Sequence, residues 1–345
     1  MLLSVLDQSP ISEGSTGADA LHNTLDLARL TDQLGYHRYW VAEHHGGPML
    51  AGGSPEVLIP AIAGATERIR VGSGGVMLPH YSPFKVAETF TILAALYPGR
   101  IDLGLGRAAG TDPLTMFALQ RDRRQASPDD FPQQLAELLA YLEDSLPDDH
   151  PFHRLAAILP GRPELPSVWL LGSSAQSAIW AAQLGLPYAF ADFINPGGEA
   201  IARSYRERFE PVRELKAPRT AVAAWVLCAP TDEEAHELAS SSRMTLTLLR
   251  RNQLVPVPPV EKALEFLRSE GSRPSGGLPG RRGIIGSPEV VRAGIEQLAA
   301  EYQADEVIVV TITHDHGARR RSYELLADAM GLEPHVSGAA GVVSA

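Results

Sequence analysis

Short apolar runs alternate along most of this chain with longer segments in which apolar residues recur at helical spacing. That alternation predicts βαβ units and a parallel sheet. We predict eight strands, at residues 2–6, 39–42, 69–72, 101–105, 168–172, 188–191, 222–228 and 306–311. Helices are predicted between and after them, at residues 18–34, 55–65, 84–96, 133–145, 175–184, 232–250, 288–302 and 320–330.

Eight strands joined by crossover helices suit a closed (β/α)8 barrel, the TIM-barrel type of α/β fold. An open, doubly wound sheet is the alternative, and a strand count by itself leaves it open. The 345 residues are compatible with one large barrel, so we expect a single domain over residues 1–330.

Two segments depart from the alternation. Residues 252–282 are rich in Pro, Gly and Arg and precede the eighth predicted strand. A connection of this length in a compact domain is usually a lid or a disordered insertion, and we expect a mobile lid here. Residues 331–345 are mostly small and weakly polar, and we expect a flexible C-terminal tail.

Composition narrows the range of partners and compartments. The net charge is −11 with no basic block, which argues against nucleic acid as the main partner. No apolar run approaches the roughly 18 residues of a membrane helix. The first predicted strand begins almost at Met1, so we expect no signal peptide, and the single cysteine, Cys228, allows no internal disulfide. We therefore expect a cytoplasmic protein.

In such a barrel the active site lies on the loops that follow the strands. The second predicted strand runs into Glu43, His44 and His45. Side chains alternate along an extended strand, so at most one histidine is expected to face the site. A histidine that donates or accepts a proton is the functional interpretation, and a polar barrel rim is the alternative. The spacing does not match a metal site, and we predict none.

Glycines follow the third and fourth predicted strands. Gly72, Gly74 and Gly75 fall within four residues, which favours close approach of a flat ligand to the backbone over a tight barrel corner. Residues 104–110 read GLGRAAG, in which the third glycine comes one place late for a dinucleotide-binding fingerprint. We therefore reject a nicotinamide site of the Rossmann type.

Residue types that bind phosphate come at two neighbouring strand ends. Arg107 follows the fourth strand, where its guanidinium is placed to bind a phosphate; an ion pair with Asp112 is the alternative. Ser173, Ser174 and Ser177 open the helix after the fifth strand, where free N–H groups and the helix dipole favour an anion. Simple N-capping by Ser173 or Ser174 is the alternative there. The two features together favour phosphate binding.

The last two strand ends are less specific. Phe193 and Ile194, after the sixth strand, are candidates to wall an apolar ring, with ordinary packing as the alternative. Residues 313–316 after the eighth strand are a candidate polar corner, but capping of the last helix by Asp315 is the favoured interpretation.

Taken together, these segments resemble the bacterial luciferase-like, flavin-dependent monooxygenases. The similarity is carried, in order, by residues 39–45, 71–79, 99–107, 173–177 and 286–289. It implies a barrel with FMN across its C-terminal mouth and His44 as the active-site histidine. It also implies a cis peptide at Gly74-Gly75 beside the flavin ring. The phosphate ligands implied are Arg107, Ser173, Ser174 and Ser177.

The same resemblance implies a reaction. Reduced FMN, supplied by a separate flavin reductase to a homodimer, would activate O2 as a flavin hydroperoxide and oxygenate a hydrophobic small molecule. A polyketide-like natural product is one expected substrate class. Two alternatives stay open, an F420-dependent oxidoreductase of the same superfamily and a flavin-binding protein without turnover. Gly106 and Gly110 differ from luciferase itself, and so does the 252–282 segment, so light emission and an aldehyde substrate are not expected.

Overall fold

A computed structural model describes residues 1–107, 112–120, 123–124, 130–272 and 276–334. Within these ranges the strands are β1 (Leu2–Asp7), β2 (Arg38–Val41), β3 (Arg70–Met77), β4 (Ile101–Gly106), β5 (Ser167–Gly172), β6 (Tyr188–Ala191), β7 (Thr220–Cys228), β8 (Gly283–Gly286) and β9 (Glu306–Val310). The strands β1 to β7 pair in order and in parallel, β7 pairs with β9, and β9 pairs with β1. This closed ring of eight strands confirms the predicted TIM barrel over the open sheet.

Helices surround the barrel. They are α1 (Gly17–Gln33), α2 (Pro55–Ala65), α3 (Pro83–Leu96), α4 (Pro113–Leu119), α5 (Phe131–Glu143), α6 (His153–Ala157), α7 (Ala175–Gln183), α8 (Glu199–Glu207), α9 (Asp232–Leu238), α10 (Ser240–Arg250), α11 (Val260–Ser269), α12 (Pro288–Tyr302) and α13 (His316–Met330). A short 3-10 turn, Leu78–His80, follows β3.

Strand alternation divides the apolar side chains between two layers. On β2, Tyr39 and Val41 pack outward in the main cluster between barrel and helices, whereas Trp40 packs inside the barrel. At the amino end of the barrel, the buried Arg38 guanidinium lies 2.5 Å from carboxylate oxygens of both Asp102 and Glu306. The same guanidinium lies over the rings of Trp40 and Trp169, at 5.3 and 4.6 Å from their centroids. These charges and rings fill that end of the barrel, which leaves the carboxyl end for a site.

Four helices and one strand were not predicted, namely α4, α6, α8, α11 and β8. The strand β8 pairs with the carboxyl-terminal half of β7. Its four residues, Gly-Ile-Ile-Gly, form a pattern too short to be distinguished from a loop. The single helix predicted over residues 232–250 is wrong, because α9 and α10 meet at Ala239.

The predicted lid contains a helix. Residues 260–269 form α11, whose Ala263 and Leu267 are buried, and Ala263 packs with Met244 and Leu248 of α10. The segment is therefore not a loop throughout, and its mobility stays a prediction. Residues 273–275 lie outside the described residues, as do Gly110 and residues 335–345 of the predicted tail.

Within the described ranges, no helix combines the length and the apolar character needed to span a membrane.

Candidate active site

Two adjoining pockets open at the carboxyl ends of the barrel strands. The smaller, of about 250 Å³, is lined by all six residues predicted to bind the cofactor: Gly74, Gly75, Arg107, Ser173, Ser174 and Ser177. The larger, of about 450 Å³, is lined by His44. Phe193 and Ile194 contribute to both, so they form the border between the two pockets. The suggestion that these two side chains wall a ligand is consistent with that position.

Two of the glycines that line the smaller pocket, Gly74 and Gly75, lie on β3. The peptide bond between Gly74 and Gly75 is cis, as the resemblance implies, and the pairing of β3 with β4 is irregular between Gly74 and Val76. A Cβ on Gly74 would lie 2.6 Å from Leu6 Cδ1, and a Cβ on Gly75 would lie 2.7 Å from the carbonyl oxygen of Gly104. Neither position has room for a side chain, which explains the local run of glycines.

We expect Gly75→Ala to destabilise the protein by about 1–3 kcal/mol, the usual cost of overpacking. The added methyl group would meet a backbone oxygen, which cannot move aside as a side chain can. Gly106→Ala is the matched control, since its Cβ would first meet Met77 Sδ at 3.2 Å, in a flexible side chain. Thermal unfolding of both variants measures the effect. Equal melting temperatures would show that the backbone at Gly75 adjusts freely.

The cationic end of the smaller pocket is formed by Arg107. Its side chain is exposed, and its guanidinium carbon lies 5.7 Å from the ring centroid of Trp180 on α7. The alternative ion pair with Asp112 is not observed among the described residues. The Asp112 carboxylate instead caps α4, accepting hydrogen bonds from the N–H groups of Leu114 (2.9 Å) and Thr115 (3.1 Å). The guanidinium is thus available to a ligand.

The helix α7 begins beside Arg107. Ser174 is its N-cap, and its hydroxyl accepts a hydrogen bond of 3.5 Å from the Ser177 N–H, so the capping alternative is realised at this residue. The Ser177 hydroxyl donates to the Ser174 carbonyl (2.9 Å) and lies 3.0 Å from the Tyr188 hydroxyl. Burial raises the pKa of Tyr188 to about 12, so this phenol is protonated at neutral pH. An anion bound at this helix start would meet hydroxyl groups and the positive end of the helix dipole.

His44 follows β2 and lies in the wall of the larger pocket. Its backbone N–H donates to the Gly52 carbonyl at 2.8 Å, which fixes the loop. Burial, assisted by the neighbouring His45, lowers the pKa of His44 to about 4. Its Nδ1 atom is buried and has no hydrogen-bond partner among the described residues. At neutral pH the site therefore holds an uncharged imidazole, which donates a hydrogen bond from one ring nitrogen and accepts one at the other.

The prediction that at most one of the two histidines faces the site is wrong. Both His44 and His45 line the larger pocket, because β2 ends at Val41 and strand alternation does not extend to them. Glu43, which precedes the two histidines, is fully buried. Its carboxylate accepts hydrogen bonds from the Met77 N–H (2.8 Å) and the Tyr81 hydroxyl (3.1 Å) and lies 2.8 Å from His45 Nε2. Glu43 thus anchors the histidine segment to the end of β3.

The low pKa of His44 predicts a pH-dependent stability. The folded state holds this imidazole uncharged, whereas an unfolded histidine titrates near 6.5. Its contribution to the free energy of unfolding is therefore fully present above about pH 6.5. This contribution is lost as the pH falls toward about 4, at up to about 1.4 kcal/mol per pH unit. We expect His44→Gln to lose less stability than the native chain between about pH 7 and pH 5. Urea unfolding at the two pH values checks this, and parallel losses would contradict it.

Several wall residues were not found from the sequence. Trp180 and Phe131 line the smaller pocket with ring centroids 5.4 Å apart, and Trp225 and Arg281 line the larger one. Trp180 lies three residues after Ser177, so helical spacing was a usable signal for it. Arg281 lies in the segment interpreted as a lid, where no pattern marks a pocket residue. At the eighth strand end, the favoured interpretation is confirmed, because Asp315 caps α13 through the Ala318 N–H (2.7 Å).

Among the described residues no cluster of three or more His, Cys, Asp or Glu side chains is arranged to hold a metal ion.

Comparisons with known proteins agree on one family. Residues 1–306 match the family model described as luciferase-like monooxygenase. The chain is 40% identical over 326 residues to an Escherichia coli protein named luciferase-like monooxygenase, covering 94% of this chain and 96% of that protein. It is 40% identical over 336 residues to the N-acetyl-S-alkylcysteine monooxygenase of Bacillus subtilis, covering 95% and 98%. The crystal structure of apo-MsnO8 superposes with a TM-score of 0.87 at 41% identity, covering 97% of this chain and 99% of that one.

Proposed function

This chain belongs to the luciferase-like monooxygenase family, and from that premise we propose that it is an FMN-dependent monooxygenase acting on a hydrophobic small molecule. One observation carries the choice of cofactor. The smaller pocket contains both a pair of glycines with no room for side chains and an arginine beside the N-terminus of a helix. The glycines suit a flat ring and the arginine suits a phosphate joined to it. His44 borders the adjoining pocket, where a substrate would lie.

The residues of the smaller pocket fit FMN by the chemistry of their groups. Arg107 has no ion-pair partner within the described ranges, and its planar guanidinium matches a phosphate. Ser173, Ser174 and the first N–H groups of α7 would supply further donors to the same phosphate. Gly74 and Gly75 would let the ring lie against the backbone.

When bound and reduced, FMN would supply the electrons that activate O2. The protein's own contribution is the environment of the flavin and the substrate. The apolar walls of both pockets, which include Trp225, Phe193 and Leu246, would exclude water from the bound flavin and substrate. His44 remains uncharged at neutral pH, so it would orient the reacting oxygen by hydrogen bonding without placing a positive charge in the pocket.

The test is turnover with reduced FMN, ¹⁸O2 and a panel of apolar substrates. The panel includes N-acetyl-S-benzylcysteine, because a relative 40% identical is named for that class of thioether. Substrate that gains one labelled oxygen atom supports the proposal. Oxygen consumption that yields only hydrogen peroxide across the panel would favour a flavin-binding protein without turnover.

We also propose that a separate flavin reductase supplies the reduced FMN and that the protein acts as a homodimer. The sequence contains no nicotinamide-binding fingerprint, which supports an external source of electrons. The purified chain should then fail to oxidise NADH or NADPH with FMN until a reductase is added. Analytical ultracentrifugation measures the oligomeric state, and a monomer throughout would remove the dimer.

A further inference from the structure

Arg281 is a partly buried cation in the wall of the larger pocket. Its Nη1 donates a hydrogen bond to the carbonyl oxygen of Phe193, the residue at the border of the two pockets. Burial, followed by the nearby Arg250 guanidinium, lowers the pKa of Arg281, although an arginine remains charged at any physiological pH. Across the described residues, no carboxylate lies within ion-pair distance of Arg281.

The next residue in the chain, Arg282, is an arginine whose charge the protein does neutralise. Arg282 is surrounded by acids: its guanidinium lies 2.9 Å from Glu199 and 3.6 Å from Asp192, and it also pairs with Glu301. The fold therefore gives three carboxylates to Arg282 and, within the described ranges, none to Arg281. A partly desolvated charge that the protein does not pair is costly unless a ligand pairs it.

The rest of the larger pocket is mainly apolar. Its walls are built chiefly by Met49, Leu50, Trp225, Leu246, Leu249, Leu254 and Ile312. The acid in this wall, Asp112, is engaged in capping α4. The volume of about 450 Å³ falls within the range of small-molecule sites, roughly 300–1,000 Å³. An apolar pocket whose wall holds a cation with no carboxylate partner among the described residues suits an apolar molecule with one negative charge.

We propose that the larger pocket takes a hydrophobic small molecule bearing a carboxylate, and that Arg281 binds this carboxylate. With Nη1 given to the Phe193 carbonyl, the Nε and Nη2 edge is left to pair with two carboxylate oxygens. The contact with Phe193 would place the bound anion beside the border with the smaller pocket. This inference rests on the proposed function, because it names the substrate class of the same site.

The test compares matched pairs of acids and methyl esters, namely phenylbutyrate, decanoate and N-acetyl-S-benzylcysteine. Calorimetry on the purified full chain, with and without FMN, measures each dissociation constant. In the native chain we expect at least one acid to bind about tenfold or more tightly than its ester, as charge-assisted hydrogen bonds allow. Arg281→Gln keeps a donor for the Phe193 carbonyl but removes the charge, so it should abolish that preference. Arg251→Met removes an exposed arginine paired with Glu270 and should preserve it.

Three results would overturn the inference. They are equal or tighter binding of every ester in the native chain, a preference for acids that persists in Arg281→Gln, and no binding of any acid in the panel. A role for Arg281 only in positioning Phe193 predicts the second of these. Acid binding in a chain that fails to bind FMN would leave the inference standing while removing the proposed function, so the two failures are distinguishable.

Discussion

Replacing Arg107 by alanine is expected to weaken FMN binding by about 10- to 100-fold while leaving riboflavin binding nearly unchanged. Only FMN carries the phosphate, and hydrogen bonds to charged groups contribute about 1.5–3 kcal/mol each. Arg107 is exposed beside the start of α7, so the same change should cost little stability. The measurement is a fluorescence titration of both flavins.

Two further variants sharpen this result. Arg107→Lys keeps the charge without the planar fork and should recover only part of the affinity for FMN. Arg292→Ala removes an exposed arginine on α12, whose partner is Glu296, and should change neither flavin. Equal losses of FMN and riboflavin in Arg107→Ala would remove the phosphate role. That residue would then be a support for Trp180, whose ring lies beneath its guanidinium.

The second large effect is expected at His44. His44→Ala should leave flavin affinity within about twofold, because the residue lines the larger pocket, but should lower product formation about 10²- to 10⁴-fold, the usual range for a positioned acid or base. Reduced flavin should then be consumed with release of hydrogen peroxide. The measurement is the ratio of product to reduced FMN consumed.

His44→Gln separates two roles for the imidazole. A glutamine amide hydrogen-bonds but does not transfer protons, so partial recovery of product would indicate orientation and no recovery would indicate proton transfer. His314→Ala is the control, since that ring lies 3.1 Å from the Glu13 carbonyl oxygen and does not line either pocket. If His44→Ala formed product with native coupling, His44 would be no more than part of the barrel rim.

The sequence was informative where the physical pattern repeats. Each of the eight predicted strands overlaps a barrel strand, because buried parallel strands and crossover helices leave strong periodic signals. The strand ends also indicated that Arg107 and the serines at the start of α7 are neighbours, and all of them line the smaller pocket, since consecutive parallel strands place their carboxyl ends side by side.

The sequence was uninformative where position depends on long-range packing. Arg281 follows α11 in the 252–282 segment, where no periodic pattern marks it, and only the folded chain brings it to Phe193, 88 residues away. The strand β8 forms by pairing with the carboxyl-terminal half of β7, and its own four residues do not predict a strand. The two histidines were misjudged because the end of β2 is set by pairing with its neighbours, which the residues themselves do not reveal.

The proposed function depends above all on FMN binding in the smaller pocket. Titration of the purified chain with FMN and with F420, in parallel and under identical conditions, tests it most directly. We expect saturable FMN binding, competition by riboflavin at higher concentration, and no comparable binding of F420. Submicromolar binding of F420 with no binding of FMN would contradict the proposal and favour an F420-dependent oxidoreductase built on the same barrel.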